Sequence, residues 1–387
     1  MGEIKQLAKK SVKKYTMFII MIFIVVFFQI RTGGMILIPQ NFSNLVLQNA
    51  FVVVLAVGMM ICIITGGNVD LSVGSVAGFV GAISGLLIIE QGFSPLLIVG
   101  LCVLISLAVG AWHGLWIAYF KVPSFIATLS GMLIFRGLTF YFLRGRTITG
   151  YPPEFTFLLT GFLPDFIGGG RSPLHITTLV IGALASVIYI QHEFRKFIRK
   201  KNMGVQTESV IFLCIKVLLT LAVVNWAFYT LASHQGIPMV LIPVSIIVIV
   251  YSFYMSRTVG GRHIYALGGN EKASRLSGVN VRRTLFFAYV NMAFLACIAG
   301  LIFTARLNAA TPRAGDGFEL QAIAAAFIGG ASASGGVGTI VGAVIGALVM
   351  GILNNGMSIL GFQSDMQLMV TGFVLLFAVV IDILQRK

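Results

Sequence analysis

Apolar residues run along this chain in long blocks, and the polar positions gather between the blocks. A helix needs about 17–25 apolar residues to cross a hydrocarbon layer of roughly 30 Å, whereas a barrel strand needs only about 9–11. Eleven blocks predict membrane-crossing helices: Tyr15–Ile30, Leu45–Ile64, Val73–Ile89, Pro95–Phe120, Phe125–Phe142, Leu174–Ile190, Ser209–Leu231, Pro238–Met255, Leu285–Ala305, Ile340–Leu360 and Met366–Leu384. Leu320–Ala331 is shorter and rich in small residues; it reads as a crossing or as a half-helix that enters and leaves by one side. The expected fold class is all-α integral membrane, a polytopic helical protein with about 10–12 membrane segments.

The whole chain, 1–387, reads as one transmembrane domain. Residues 15–142 form a first helical half with a glycine-rich break at 66–75. An external loop follows at 143–173, an internal basic loop at 192–208, an internal loop at 256–284 and a second glycine-rich region at 285–385. Within 256–284, Asn270 is placed to cap a short helix from Glu271 to Leu276 that ends before Gly278. Glu271 then sits at the helix end that favours a carboxylate.

Composition supports the membrane reading. Hydrophobic residues make up 58% of the chain and Asp, Glu, Lys and Arg only 10%. A soluble globule carries about 25% charge to face water, and a disordered chain is more polar still. The net charge of +15 raises nucleic acid as a partner until the cations are located. With the N-terminus inside, nineteen Lys and Arg fall on the internal side and six on the external side, while Arg136 and Lys216 lie within blocks. Such a bias is an orientation signal facing anionic lipid, with both termini cytoplasmic, and removes the nucleic-acid reading. Cys62, Cys102, Cys214 and Cys297 lie in apolar runs without metal or redox spacing. No small-residue cleavage site follows the first apolar block, which therefore reads as an uncleaved span.

Glycine is abundant, 44 residues, and unevenly placed. Gly74, Gly78, Gly81 and Gly85 follow a Gly66–Gly67 break; Gly338, Gly342 and Gly346 follow a Gly329–Gly330 break. Small residues four apart let helix backbones approach closely in lipid, where a methyl group is tolerated and a larger side chain is not. The two regions look like copies, and glycine-interrupted segments paired in two halves mark a transporter built from repeats.

Asp70 is the sharpest polar signal. It reads as a plain turn, with Asp70 or Ser72 capping the next helix, or as a broken segment whose polar backbone lines a path; both readings stay open. Arg136 and Lys216 read as paired or as reaching to the interface. Glu319 opens its segment as a first-turn carboxylate or a path residue, and His113 reads as a packed imidazole. The five histidines have no ligand spacing, so no metal site is expected. There is no phosphate-binding Gly-x4-Gly-Lys-Ser/Thr loop and no catalytic constellation, so neither a cofactor nor an enzyme is expected. Acidic residues deep in spans, which a gradient-driven carrier needs, are scarce, and that points to an energy-supplying partner.

The stretches Asp70-Leu-Ser-Val-Gly-Ser75, Val122-Pro-Ser-Phe-Ile126, Gly131-Met-Leu-Ile-Phe-Arg-Gly137, Gly261-Arg-His-Ile-Tyr-Ala-Leu-Gly-Gly-Asn270 and Arg275-Leu-Ser-Gly-Val-Asn280 carry a family likeness. So do Ala305-Arg-Leu-Asn-Ala-Ala-Thr-Pro312, Phe327-Ile-Gly-Gly-Ala-Ser-Ala-Ser-Gly-Gly-Val-Gly338 and Gly351-Ile-Leu-Asn-Asn-Gly-Met-Ser-Ile359. In this ordered set the chain resembles the permease subunits of bacterial ABC importers for monosaccharides, in the ribose–xylose–galactose branch, and looks most like the multiple-monosaccharide permeases within it. The resemblance implies a second copy of the chain, two ATP-hydrolysing subunits on the cytoplasmic side, an external sugar-binding protein and about ten helices. It also implies that the segment around Tyr265, Gly268, Gly269, Asn270, Glu271, Arg275 and Gly278 seats in the ATPase. Gln321 departs from the aspartate usual in relatives.

A neutral sugar needs amides and hydroxyls rather than charges. The candidates for a translocation path are Asn68, Ser72, Asn308, Thr311, Asn354 and Asn355, with Asp70 and Glu319 beside the breaks. The competing readings are a permease for branched-chain amino acids or furanone signals, and a carrier coupled to an ion gradient.

Overall fold

A computed structural model of the chain describes residues 19–169, 172–204 and 209–384. The basic N-terminal stretch, the start of the first apolar block at Tyr15, Arg171, and both Arg386 and Lys387 lie outside the described residues. The apolar blocks are helices: α1 (Ile19–Arg31), α2 (Pro39–Ile64), α3 (Val73–Gly85), α4 (Pro95–Gly114) and α5 (Ser124–Leu143). After these come α6 (Pro153–Thr160), α7 (Ile176–Asn202), α8 (Val210–Ala232), α9 (Leu241–Arg257), α10 (Val259–Gly269) and α11 (Glu271–Leu276). The chain closes with α12 (Val281–Leu307), α13 (Phe318–Ile328), α14 (Ile340–Ile359) and α15 (Ser364–Leu384). Among the described residues nine helices are long and apolar enough to cross a membrane, and α9 with α10, bent by 69°, makes a tenth candidate. The chain is a polytopic helical membrane protein.

Local chemistry sets the helix ends. Pro39, Pro95 and Pro153 start their helices, where the missing N–H has no intrahelical partner to lose. Thr258, Asn280 and Thr339 accept a backbone N–H as side-chain caps. α5 and α12 stop on Arg144 and Asn308 in the left-handed region.

α2 is the axis of the bundle: every residue from Asn49 to Thr65 is buried, with α9, α12, α13 and α14 around it. α7 and α8 form a peripheral hairpin, and none of the most apolar window of α8 is buried. Both charges inside apolar blocks are paired rather than reaching to the interface. Arg136 on α5 pairs with Asp316 just before α13. Lys216 on α8 lies 2.7 Å from Glu193 on α7. A cation withdrawn from water needs such a counter-charge.

The doubtful segment is a half-helix in series with irregular chain. β1 (Ile148–Thr149) pairs antiparallel with β2 (Ala309–Ala310) at one end of the bundle. From there the chain descends beside α3, with Ala310 against Gly85, Ala314 against Gly78 and Gly315 against Gly74. That drop covers the axial rise of about eleven helical residues, some 16 Å. α13 then covers the other half with its 11 residues. Irregular backbone is tolerated at this depth because it is enclosed by protein.

Three stretches read as loops carry helix. α7 runs on to Asn202 through the expected internal basic loop, because hydropathy marks where lipid ends and not where a helix ends. The stretch 256–284, expected to be internal, holds α10 and α11, and the stretch 143–173, expected to be external, holds β1 and α6.

Candidate translocation and coupling site

The α2–α3 break begins at Thr65. Gly66 (φ 130°) and Gly67 (φ 75°) reverse the chain in a backbone region open to glycine. Asn68 donates to the Thr65 hydroxyl at 3.2 Å. Asp70, only 1% exposed, accepts from the Ser72 amide at 2.8 Å and from the Ser72 hydroxyl at 2.6 Å. Asp70 therefore closes a turn ahead of α3 and does not cap it; Ser72, at the N-cap position, donates to Asp70 and accepts no amide of the helix, so neither side chain is the expected cap. Cys62, His113 and Tyr289 are the electrostatic neighbours of this carboxylate, and both ring nitrogens of His113 are buried without a hydrogen-bond partner among the described residues.

The α13–α14 break lies against the first one. The Gly336 amide donates to the Ile64 carbonyl at 2.9 Å, satisfying an acceptor left open at the end of α2. A Cβ on Gly335 would enter the Gly66 backbone, and one on Gly67 would strike the Ala333 carbonyl. α10 completes the contact. A Cβ on Gly268 would strike both the Ile64 carbonyl and the Gly336 amide, and the Tyr265 hydroxyl donates to the Gly338 carbonyl at 2.8 Å. Gly66–Gly67, Gly335–Gly338 and Tyr265–Gly269 thus meet main chain to main chain at one end of the bundle.

α11 projects beyond this junction. Its cap is the expected one, with Asn270 Oδ1 accepting from the Ala273 amide at 3.0 Å. Glu271 and Arg275 pair at 2.8 Å on its exposed face, and Gly278 (φ 84°) follows its end. Leu276 is 90% exposed. The sequence reading gave this leucine no role beyond the helix end, although a lone apolar residue between Arg275 and Ser277 was a signal available there. The described cations divide between the two ends. Lys121, Arg257, Lys272, Arg275, Arg282 and Arg283 share this end with the tail of α7, and Arg31, Arg144, Arg146 and Arg306 lie at the β1–β2 end.

The remaining path candidates do not converge. Asn308 accepts the Tyr151 amide at 2.9 Å through its side chain and holds β1 in place. Asn355 exchanges two side-chain hydrogen bonds with Asn41, at 2.9 and 3.1 Å, which fasten α14 to α2. The side chains of Thr311 and Asn354 make no hydrogen bond among the described residues. Glu319 Oε2 is buried without a hydrogen-bond partner among the described residues, beside Gly74 and close to the Arg136–Asp316 pair. Asp316 carried no signal in the sequence, because its partner is distant in the chain.

The glycine faces do what their spacing requires, with two differences. Gly74, Gly78, Gly342 and Gly346 each face a backbone carbonyl, of Gly315, Ala314, Gly329 and Ala325, so close that even a methyl group would overlap it. Gly338 belongs to the break, since α14 starts at Ile340; it packs on Met60 and Ile64. No group of His, Cys, Asp and Glu among the described residues has the arrangement of a metal site.

Known proteins place this architecture. A family described as the permease component of branched-chain amino acid transport systems matches residues 41–379. The xylose transport system permease protein XylH of Escherichia coli (strain K12) is 36% identical over 381 residues, 98% of this chain and 94% of the relative. XylH of Haemophilus influenzae is 36% identical over 382 residues, 99% of each chain. The ribose import permease protein RbsC of Escherichia coli (strain K12) is 35% identical over 344 residues, 89% of this chain and 85% of the relative. No solved structure matches. The chain belongs to this permease family: it is a non-catalytic, membrane-spanning subunit of an ABC importer, from the branch that contains the xylose and ribose permeases.

Proposed function

We propose that the chain imports a neutral monosaccharide across the bacterial cytoplasmic membrane as one of two identical permeases. Two ATP-hydrolysing subunits dock at the α10–α11 end, and an external sugar-binding protein delivers substrate at the β1–β2 end. The observation that carries this reading is the junction of α10 with both glycine breaks. A displacement of α10–α11 by a soluble partner reaches Gly66–Gly67 and Gly335–Gly338 directly, through the Gly268 contact and the Tyr265–Gly338 hydrogen bond. The cation-rich end favours a cytoplasmic position for that junction and for both termini. The names of the relatives favour a sugar, and xylose is the first to test.

Path residues in this reading are Asn68, Thr311, Glu319 and Asn354, with Asp70 and Ser72 holding the shape of the first break and Asn308 and Asn355 fastening its surroundings. Neutral hydroxyls suit these groups better than charges do. The test is a charge reversal on α11, Glu271→Arg with Arg275→Glu, in vesicles holding the permease, its ATPase and its binding protein. The swap keeps net charge, so insertion is expected to be normal while sugar-stimulated ATP hydrolysis falls sharply. Unchanged stimulation would remove α11 from the coupling path. Uptake of labelled xylose, arabinose, galactose and ribose by the same vesicles ranks the substrates, and uptake of none of them would overturn the sugar reading.

A further inference from the structure

A cavity of about 420 Å³ lies between α1, α14 and the start of α15. Phe23, Phe27, Phe28, Met357 and Phe362 contribute to its wall, and Arg31 is the single charged residue lining it. Its volume falls in the range of about 300–1,000 Å³ typical of small-molecule sites. Water does not fill such a space stably, because a buried water needs two to four polar partners and this wall is otherwise apolar. Phe23, Phe27 and Phe362 are exposed, so on a membrane-spanning bundle the cavity opens sideways to hydrocarbon. Phe28 packs under Gly356, which holds α1 against α14.

Arg31 stands at the last residue of α1, exposed, with no ion pair or side-chain hydrogen bond among the described residues. A guanidinium at the end of a span, where hydrocarbon gives way to headgroups, matches a phosphate through two parallel N–H···O bonds. We propose that this cavity holds an acyl chain of an anionic phospholipid whose phosphate is bound by Arg31. The site is separate from the α10 junction, and the inference does not depend on which solute the permease carries.

The test uses native mass spectrometry of the full chain, stripped of lipid in detergent. It is then offered equal amounts of phosphatidylglycerol and phosphatidylcholine with identical acyl chains. One cation near a headgroup of net negative charge is worth about fivefold in binding; phosphatidylcholine carries the same phosphate but offsets its charge with choline, so the wild type is expected to retain phosphatidylglycerol over phosphatidylcholine by about that factor. Arg31→Gln is expected to bring the two lipids to parity while a lipid remains bound. Leu360→Trp fills the cavity and is expected to lower retention of both lipids. Val370→Phe fills it more gently and stands in if the tryptophan variant loses its melting transition. A preference that survives Arg31→Gln, or equal lipid retention in a folded cavity-filled variant, would overturn the proposal. So would loss of self-association in the filled variants with lipid retention unchanged, which would assign the cavity to a second copy of the chain.

Discussion

The two glycine breaks share a sequence pattern and are built differently. Before the first stands α2, 26 residues long and buried throughout its second half. Before the second stands α13, with 11 residues. After the first, the glycine face of α3 receives irregular chain, the carbonyls of Ala314 and Gly315; after the second, the face of α14 receives α13 at Ala325 and Gly329. Glycines four apart therefore specify that a backbone will come close, without specifying what kind of backbone it is. The first break gains polar order from Asp70 and Ser72, while the second takes its order from neighbours, through the Ile64 carbonyl, the Tyr265 hydroxyl and the Asp382 carboxylate on the Ala333 amide.

The strongest way to break the comparison is to strike both regions at once. Gly268→Val places a branched side chain where a Cβ already meets the Ile64 carbonyl and the Gly336 amide. It is expected to lower assembled protein and to abolish sugar-stimulated ATP hydrolysis, whereas Gly269→Ala, with no atom within 4 Å, is the control. Normal stimulation in the valine variant would show that the junction does not transmit.

Substitution in each face separately sharpens the contrast. Overpacking costs about 1–3 kcal/mol, and the irregular chain beside α3 yields more readily than a hydrogen-bonded helix. Gly342→Ala is therefore expected to lower the melting temperature more than Gly78→Ala, and leucine at either site to reduce yield further. Equal losses at the two sites would remove the distinction between a helical and an irregular neighbour. A smaller effect comes from Tyr265→Phe, which deletes one hydrogen bond worth about 1 kcal/mol and leaves the ring in place. It should weaken coupling without lowering expression, read as stimulated hydrolysis per assembled permease.

The smallest effect lies outside both regions and serves as their control. Partial loss of solvent disfavours the Asp165 carboxylate. Hydrogen bonds from the Thr177 hydroxyl and from the amides of Thr177, Gly168 and Ile176 outweigh this and hold its carboxyl well below the usual range. A carboxyl lowered in the folded state stabilises above its unfolded value and loses that contribution as pH falls through the folded one. The melting-temperature difference between wild type and Asp165→Asn should be full near neutrality and shrink below about pH 4, where an unfolded carboxylate protonates. A pH-independent difference would mean that the network does not depend on the charge.

Local chemistry was legible in the sequence, and meetings between distant segments were not. The α11 helix with its Asn270 cap followed from spacing alone, as did the close-packed faces at Gly74, Gly78, Gly342 and Gly346. The extension of α7 to Asn202 was hidden because its polar last turns drop out of a hydropathy pattern while remaining good helix formers. The pairing of Arg136 with Asp316 and the junction of residues 66, 268 and 336 join positions far apart in the chain. Asn308 and Asn355 have the right chemistry for a sugar, yet their amides hold backbone and helix in place, which no single position reveals.

The junction at Gly268 has a mechanical consequence. Side chains packed in an ordinary helix interface can absorb a displacement by changing rotamer, so part of any movement dissipates before it reaches the far side. Main-chain atoms in direct contact have no rotamers to change. In the coupling proposed above, a shift of α10 is therefore expected to reach the end of α2 and Gly336 with little slack between them.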